Sequence, residues 1–355
     1  MTVSSIHDVA TYCGVSTATV SRALRGLPNV SRQTRELVQA AAAELGYVPS
    51  PSASGLSGGR HRAVAIVIPS TARWFYSKVI EGVDSVLRRE GYDTFLVILA
   101  ATLNDRERLF HNALLRKRAD ALIALGIDFT DEERRELRSV QMPAMIVGGA
   151  VRGVRSVGLD DGAVGRAATE HLLGLGHTRI GHIGGHTEYG MQHSVGEDRE
   201  SAWRNALAAH GLQPPPHHHA DGAFVVPQAK VAARSMLRSP DRPTAIFAGS
   251  DEMAFGALLA ATELGLRVPE DLSVIGIDDH DWSDAFGLTT LRQQPFEQGR
   301  LAARTVLDEL NGIPVPVRTT RAPFELVVRA STGPLGSAPA QAPAQDAPRS
   351  TPTAV

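Results

Sequence analysis

The sequence predicts a small all-α helix-turn-helix domain followed by a larger α/β body built on doubly wound parallel sheets. Three observations lead there. Two short amphipathic segments near the N-terminus are hinged on Gly14, residues 48–62 are dense in Pro, Ser and Gly, and from Ala63 onward short apolar runs alternate with helical stretches. At 355 residues the chain exceeds what one hydrophobic core organises and suits a small unit joined to a large one.

In the N-terminal unit, Ile6, Val9, Ala10 and Cys13 fall on one face of a first helix, and Gly14 ends it where a left-handed residue costs little. Ser16 is placed to cap a second helix whose Val20 and Leu24 point inward. That leaves Thr17, Ala18, Ser21 and Arg22 outside, at the helix start, where a helix-turn-helix meets base edges and phosphates. A third helix is capped by Ser31, carries an expected buried stripe of Leu37, Val38, Ala41 and Leu45, and stops at Gly46.

The net charge of −2 hides an asymmetry: residues 1–62 hold six arginines against three acidic residues, a net +3, which leaves −5 for the remainder. A basic head on an acidic body suits contact with phosphates through the head alone. The single cysteine, Cys13, excludes an intrachain disulfide framework. No signal-peptide layout and no apolar run of membrane-spanning length is present, so the expected location is the cytoplasm.

Residues 48–62 read as a linker that buries little. Ala63–Ile68, Thr94–Leu99, Ala121–Leu125, Ala144–Val147, Ile180–Ile183, Ala245–Ala248 and Leu272–Ile277 read as buried parallel strands. Gly91, Gly176 and Gly265 close intervening helices. Residues 333–355, mostly Ala, Pro, Ser, Gln and Thr, read as a disordered tail without the leucine heptads of a coiled coil.

Ile-x-Asp-Val-Ala, Gly-Val-Ser, Ala-Thr-Val-Ser-Arg, Val-Ser-x-x-Thr-Arg and Leu-Gly-Tyr-x-Pro occur in order across residues 6–49. This series closely resembles the headpiece of the LacI/GalR family of lactose- and purine-repressor-like regulators. The resemblance continues through Ala-Asp-Ala-Leu-Ile (119–123), His-Leu-x-x-Leu-Gly-His-x-Arg-Ile (171–180), Ser-Asp-x-Met-Ala-x-Gly (250–256), residues 265–279 and Leu-Thr-Thr-Leu (288–291), spanning roughly residues 4–332. It implies a headpiece over 1–47, a hinge over 48–62, and a two-lobed periplasmic-binding-protein-like (type I) effector and dimerisation domain over 63–332. The first lobe would take about 63–160 and 290–320, the second about 161–289 and 321–332.

The same resemblance implies the site residues. On the DNA side they are Thr17, Ala18, Ser21, Arg22, Asn29 and Ser31, with Leu56 as a minor-groove wedge in a hinge that reads Pro49-Ser-Pro-Ser-Ala-Ser-Gly-Leu56. Ser50 and Ser54 replace the family's usual Asn and Arg there, and Gly55 lowers helix propensity. In the crevice between lobes they are Phe75, Tyr76 and Phe224 as ring contacts, Arg199 and Asp278 as polar anchors, and Ser250 beside Asp278. A guanidinium suits vicinal hydroxyls or a carboxylate because it donates two parallel hydrogen bonds. Gly148-Gly149 departs from relatives that carry a polar ligand contact at this point.

Other patterns point away from chemistry. His217-His218-His219, after Pro214-Pro-Pro216, reads as a solvated loop, since consecutive residues diverge and no Cys or carboxylate cluster joins them, so no metal is expected. The pairs Asp160-Asp161 and Asp278-Asp279 diverge likewise, and no nucleophile-base set or phosphate loop accompanies them. No cofactor is implied. The expected function is a transcriptional regulator, most simply a repressor, acting as a homodimer on near-palindromic operator DNA under control of a sugar-like small molecule. The competing classes are a soluble binding protein serving transport, against which the complete headpiece argues, and an enzyme, against which the missing catalytic set argues.

Overall fold

A computed structural model of the chain describes residues 4–24, 26–47, 61–99, 118–127, 129–139, 142–149, 153–185 and 193–336. The N-terminal unit holds helices α1 (Ile6–Cys13), α2 (Thr17–Leu24) and α3 (Arg32–Glu44). Ser5 and Asp8 form a reciprocal capping box at α1, and Gly14 ends it at φ 63°. Ser16 Oγ accepts from Thr19 N at 3.1 Å and Ser31 Oγ from Thr34 N at 3.1 Å, fixing the starts of α2 and α3. Val9, Ala10, Val20, Ala23, Val38, Ala41 and Ala42 form the core of the three helices. One expectation fails here: Leu37 is 48 % exposed, and Ala42 takes the inward position. Val38, Ala41, Ala42 and Leu45 make the i, i+3, i+4, i+7 stripe, and Leu37 falls beyond its edge, on the side away from Ala42.

Among the described residues, the body forms two six-stranded sheets with no strand in common. The first has the order β11-β5-β4-β3-β1-β2, from β1 (Ala63–Ile68), β2 (Asp93–Ile98), β3 (Ala121–Leu125), β4 (Ala144–Val147), β5 (Arg155–Gly158) and β11 (Thr319–Arg321). The second has the order β12-β10-β9-β8-β6-β7, from β6 (Ile180–Gly184), β7 (His219–Asp221), β8 (Ala245–Ala248), β9 (Ser273–Asp278), β10 (Thr289–Arg292) and β12 (Glu325–Val327). Among the described residues every strand pairing is parallel except β10 with β12, which runs antiparallel at an edge.

Both faces of each sheet are covered. Val64, Ile66 and Ile68 of β1 join one cluster with Val79, Val83, Ala302 and Val306, while Ala65 and Val67 join another with Leu122, Ala124 and Ile146. Helices α4 (Trp74–Leu87) and α10 (Pro295–Leu310) pack together over the first of these faces. Their backbones touch: a Cβ on Gly82 would sit 2.0 Å from Phe296 O, and one on Gly299 2.1 Å from Val79 O. The second sheet is clothed by α6 (Asp161–Gly174) and α7 (His193–Ala209) on one side. On the other side lie α8 (Val226–Leu237) and α9 (Asp251–Glu263). The acidic helix α5 (Asp131–Ser139) follows β3.

Several boundaries differ from expectation. β2 is an edge strand with Leu96 and Ile98 exposed at 41 % and 55 %, so it is not buried like its neighbours. β5, β7, β11 and β12 are short strands without apolar runs, which leaves no periodic signal to read. β10 belongs to the second sheet, so the return crossing lies at Gln293-Gln294, a few residues past Thr290. His61 and Arg62, expected as linker, donate their backbone N–H groups to the Asp120 carboxylate at 2.7 Å each. At the other end Gly333 is buried, and its N–H donates to Ser273 Oγ at 3.1 Å, so the expected tail begins as ordered chain. Residues 48–60, with Leu56, and residues 337–355 lie outside the described residues.

Candidate functional site

A cleft between the two sheets is lined by Arg73, Phe75, Tyr76, Gly148, Leu159, Asp161, Val195, Arg199, Phe224, Ser250, Glu252, Asp278, Gln293 and Gln298. Its volume is about 520 Å³ counting its mouth. All six residues expected in the crevice share this wall. The cleft lies beyond the C-terminal ends of β1, β4, β6 and β9, where loops and helix N-termini leave room for a small molecule.

Arg199 sits on α7 one turn before Trp203, whose fully buried side chain anchors that helix to the second sheet. Its Nε donates to Asp161 Oδ1 at 2.9 Å, its Nη2 lies 2.7 Å from the same oxygen, and its Nη1 donates to Gly249 O. Both partners of this ion pair are buried, so the guanidinium is oriented by a desolvated carboxylate. Asp160 instead caps α6 through Ala163 N at 2.9 Å, so the two neighbouring carboxylates take different jobs.

Asp278 ends β9 with φ 131°, and Asp279 follows at φ 58°. That local backbone turns Asp278 into the cleft and Asp279 toward Arg292 and Arg329, each at 2.7 Å. Burial, reinforced by the facing Asp251 carboxylate, raises the Asp278 pKa well above the ordinary aspartate value, while Arg199 and Gln293 oppose the shift. Asp251 is itself pushed up to about 6 by burial, against the bonds it accepts from Ser283, Thr290 and His280 N. Gln293 Nε2 donates to Asp278 Oδ1 and Gln298 Nε2 donates to Gln293 Oε1 at 3.0 Å, a relay running from the second sheet through the crossing segment to α10. The relay ends on Gln298 Oε1, a buried acceptor without a partner among the described residues.

The aromatic wall has its own constraints. Phe224 and the preceding Ala223 adopt φ 54° and 50°, placing the ring against Gly185, where a Cβ would come within 2.2 Å of it. From the first lobe, the Arg73 guanidinium lies 5.0 Å over the Phe224 ring and donates to Ala223 O at 3.0 Å. Burial raises the Glu252 pKa, and Arg73 counters it. Further out, Trp74 packs on His280 at 5.1 Å and Lys78 pairs with Asp281 at 3.2 Å, also across the cleft. Phe75 occupies the space beside Gly148, whose Cβ would meet the ring at 3.2 Å, so an aromatic ring stands where a polar side chain would otherwise fit. Tyr76 is 1 % exposed and serves the core as well as the wall. Ser250 caps α9 by accepting from Met253 N at 3.3 Å, which leaves its hydroxyl proton free to donate.

Sequence reasoning missed Arg73, Glu252, Gln293 and Gln298 as wall residues, and weighed Asp161 only as half of a carboxylate pair. Their one signal is position, next to a strand end or a crossing, which residue type alone does not reveal.

In the headpiece, Thr17 and Ala18 open α2, Ala18 and Arg22 are exposed, and Thr17 and Ser21 are partly buried. Asn29 is exposed at φ 69°, and Ser31 is exposed while capping α3. Leu56 lies outside the described residues. The histidine run requires a correction. His218 is 1 % exposed within a 3₁₀ turn, and Asp241 from a separate turn reaches His217 Nε2 at 2.8 Å, so a carboxylate does join the histidines in space.

Residues 5–50 match the family model "Bacterial regulatory proteins, lacI family", and residues 169–332 match that of the periplasmic binding protein-like domain. The chain is 34 % identical over 342 residues to the HTH-type transcriptional repressor CytR of Escherichia coli K12, covering 93 % of this chain and 97 % of that protein. It is 31 % identical to the repressor PurR of Vibrio vulnificus, over 92 % and 98 % of the two chains. Among solved structures, a lac repressor dimer bound to operator and the anti-inducer ONPF superposes with TM-score 0.80 at 29 % identity, over 94 % of this chain and all of that one. A complex of the regulator CelR with cellobiose gives TM-score 0.68 at 31 % identity, over 92 % and 99 %.

Proposed function

Because the chain belongs to the LacI family of bacterial regulatory proteins, we propose that its residues 1–47 bind operator DNA and that a small molecule in the cleft between the two sheets controls that binding. The division into headpiece 1–47, hinge 48–62, a body over 63–332 and a terminal tail is part of this reading. The observation that carries it is the convergence of Arg199, Asp278, Ser250, Phe224, Phe75 and Tyr76 on one cleft, in a chain that also begins with a helix-turn-helix.

The reading assigns work to each group. Arg199, held by Asp161, offers its remaining N–H groups to ligand oxygens. Ser250 donates a proton, Gln298 Oε1 accepts one, and Phe75 and Phe224 supply flat apolar surface. A ligand rich in hydroxyls, such as a sugar or sugar derivative, satisfies this mixture of donors and acceptors beside a ring face. In the headpiece, Thr17, Ala18 and Arg22 face the major groove, and Ala18 offers only a methyl contact, for example to thymine. Ser21, Asn29 and Ser31 adjoin the phosphates, and Leu56 wedges into the minor groove at the operator centre.

One headpiece buries too little surface for tight specific binding, so two act together on a near-palindrome as a homodimer. The ligand shifts the population of body conformations that hold the two hinges at the operator spacing. The protein has no catalytic role in this scheme, and it works in the cytoplasm, where the DNA is. No described helix is long and apolar enough to cross a membrane. The test is a gel shift on DNA upstream of the gene, together with a thermal-shift screen of sugars, sugar acids and nucleosides. Specific retardation relieved or tightened by a stabilising compound supports the reading, and absence of any sequence-specific retardation overturns it.

A further inference from the structure

We propose that His217, His218 and Asp241 form a divalent-metal site on the second lobe, away from the cleft, with zinc as the ion that fits its donors best. Pro214, Pro215 and Pro216 stiffen the approach to a 3₁₀ turn, Pro216–His218, whose two histidine rings stand edge to face with centroids 4.9 Å apart. The turn after α8 brings Asp241 against them. His217 Nε2 lies 2.8 Å from Asp241 Oδ1, and one ligand atom from each of the three residues lies within 4.8 Å of the others.

His218 is the fixed point. It is 1 % exposed, its Nε2 lies 2.9 Å from the Asp241 backbone carbonyl, and its Nδ1 is buried without a partner among the described residues. An imidazole held on one nitrogen by a backbone carbonyl keeps a lone pair on the other, the arrangement by which proteins orient histidine toward a metal. His217 and Asp241, by contrast, have side chains 45 % and 56 % exposed, and Asp241 Oδ1 also accepts from Ser239 Oγ at 2.5 Å, a bond that steadies the carboxylate beside the histidines. Tetrahedral coordination with arms of about 2.0–2.1 Å puts ligand atoms about 3.3 Å apart. The His217–Asp241 contact therefore opens slightly as the cation replaces the shared proton, while the widest spacing closes.

Two imidazoles and one carboxylate select a borderline ion such as zinc over magnesium or calcium, which take oxygen cages. Water completes the shell on the exposed side. Arg179, whose Nε donates to Arg242 O at 3.2 Å, and Arg242, whose Nη1 donates to Asp271 O at 3.0 Å, add positive charge nearby. Three protein donors with a water-completed shell make an open site, weaker than a closed four-ligand structural one. A bound ion would join the turn before β7 to the turn after α8, stapling the two ends of the segment that carries Phe224.

The experiment is calorimetric titration of zinc chloride into the full-length, tag-free, metal-stripped chain, with thermal unfolding as a second readout. The expected result is one zinc per chain with micromolar affinity and a raised Tm. His217→Ala and Asp241→Asn should each weaken uptake by about tenfold or more while leaving the metal-free Tm unchanged, and His7→Ala, on exposed α1, should change nothing. Magnesium chloride should give no uptake. Absence of micromolar zinc uptake, uptake undiminished in both cluster variants, or equal uptake of magnesium would each overturn the assignment.

Discussion

Arg199 is oriented before any ligand arrives, because Asp161 and Gly249 O hold its guanidinium in a buried setting. Such preorganisation lowers the cost of ordering on binding. Arg199→Ala is therefore expected to abolish the thermal shift given by the cleft ligand while leaving operator affinity intact, since headpiece and cleft are separate. An undiminished ligand shift in this variant would contradict the cleft assignment. Asp278 carries a prediction in pH. Its folded pKa, like that of Asp251 at about 6, is raised above the ordinary 3.8, so the folded state binds protons that the unfolded chain releases. The stability they add is full below the unfolded value and is lost as pH rises through the folded ones. Denaturant unfolding of the wild type should therefore lose stability relative to Asp278→Asn as pH rises above the ordinary aspartate value, with a slope of up to about 1.4 kcal/mol per pH unit. Parallel profiles for the two proteins would contradict it.

At the scale of elements, α4 and α10 meet backbone to backbone at Gly82 and Gly299, and α10 leads directly from the crossing that carries Gln293. Gly299→Val pushes a branched side chain into Val79 O, and overpacking of this kind costs about 1–3 kcal/mol. The Tm should fall by roughly 2–4 °C per kcal/mol in a body of this size, and an unchanged Tm would mean the helices part freely. The elements legible in sequence were those with a strong period or run: α1, α2 and α3, and the strands β1, β3, β4 and β8, whose bounds match expectation to the residue. Illegible ones were defined by partners rather than by their own residues. Thr319–Arg321 is a strand only because β5 offers it an edge, and Leu37 turns outward because Val38 and Ala42 fill the headpiece core. The same logic divides the cleft. Arg199 and Asp278 stand in readable motifs, whereas Gln298 joins the wall because α10 docks on α4. The histidine run is not the solvated loop expected, because the turn that carries Asp241, 24 residues beyond His217, packs against it and His218 is buried.

For the whole molecule, the first and second sheets touch across the cleft through Arg73, Trp74 and Lys78 on one side and Phe224, His280 and Asp281 on the other. These are weak, reversible contacts, suited to lobes that change separation when a ligand binds. The dimer is expected to form through the body. Sedimentation of a chain lacking residues 337–355 should give the same dimer as the full chain, and dissociation on that deletion would assign assembly to the tail. The central claim is that the cleft and the operator-binding helices are thermodynamically coupled. The most direct measurement is the operator affinity of the full-length protein, by fluorescence anisotropy at fixed salt, with and without a saturating cleft ligand. Coupling of about 1–3 kcal/mol predicts a change of roughly 5–150-fold in either direction, absent in Arg199→Ala. An operator affinity that is the same with the cleft empty and filled would contradict the account.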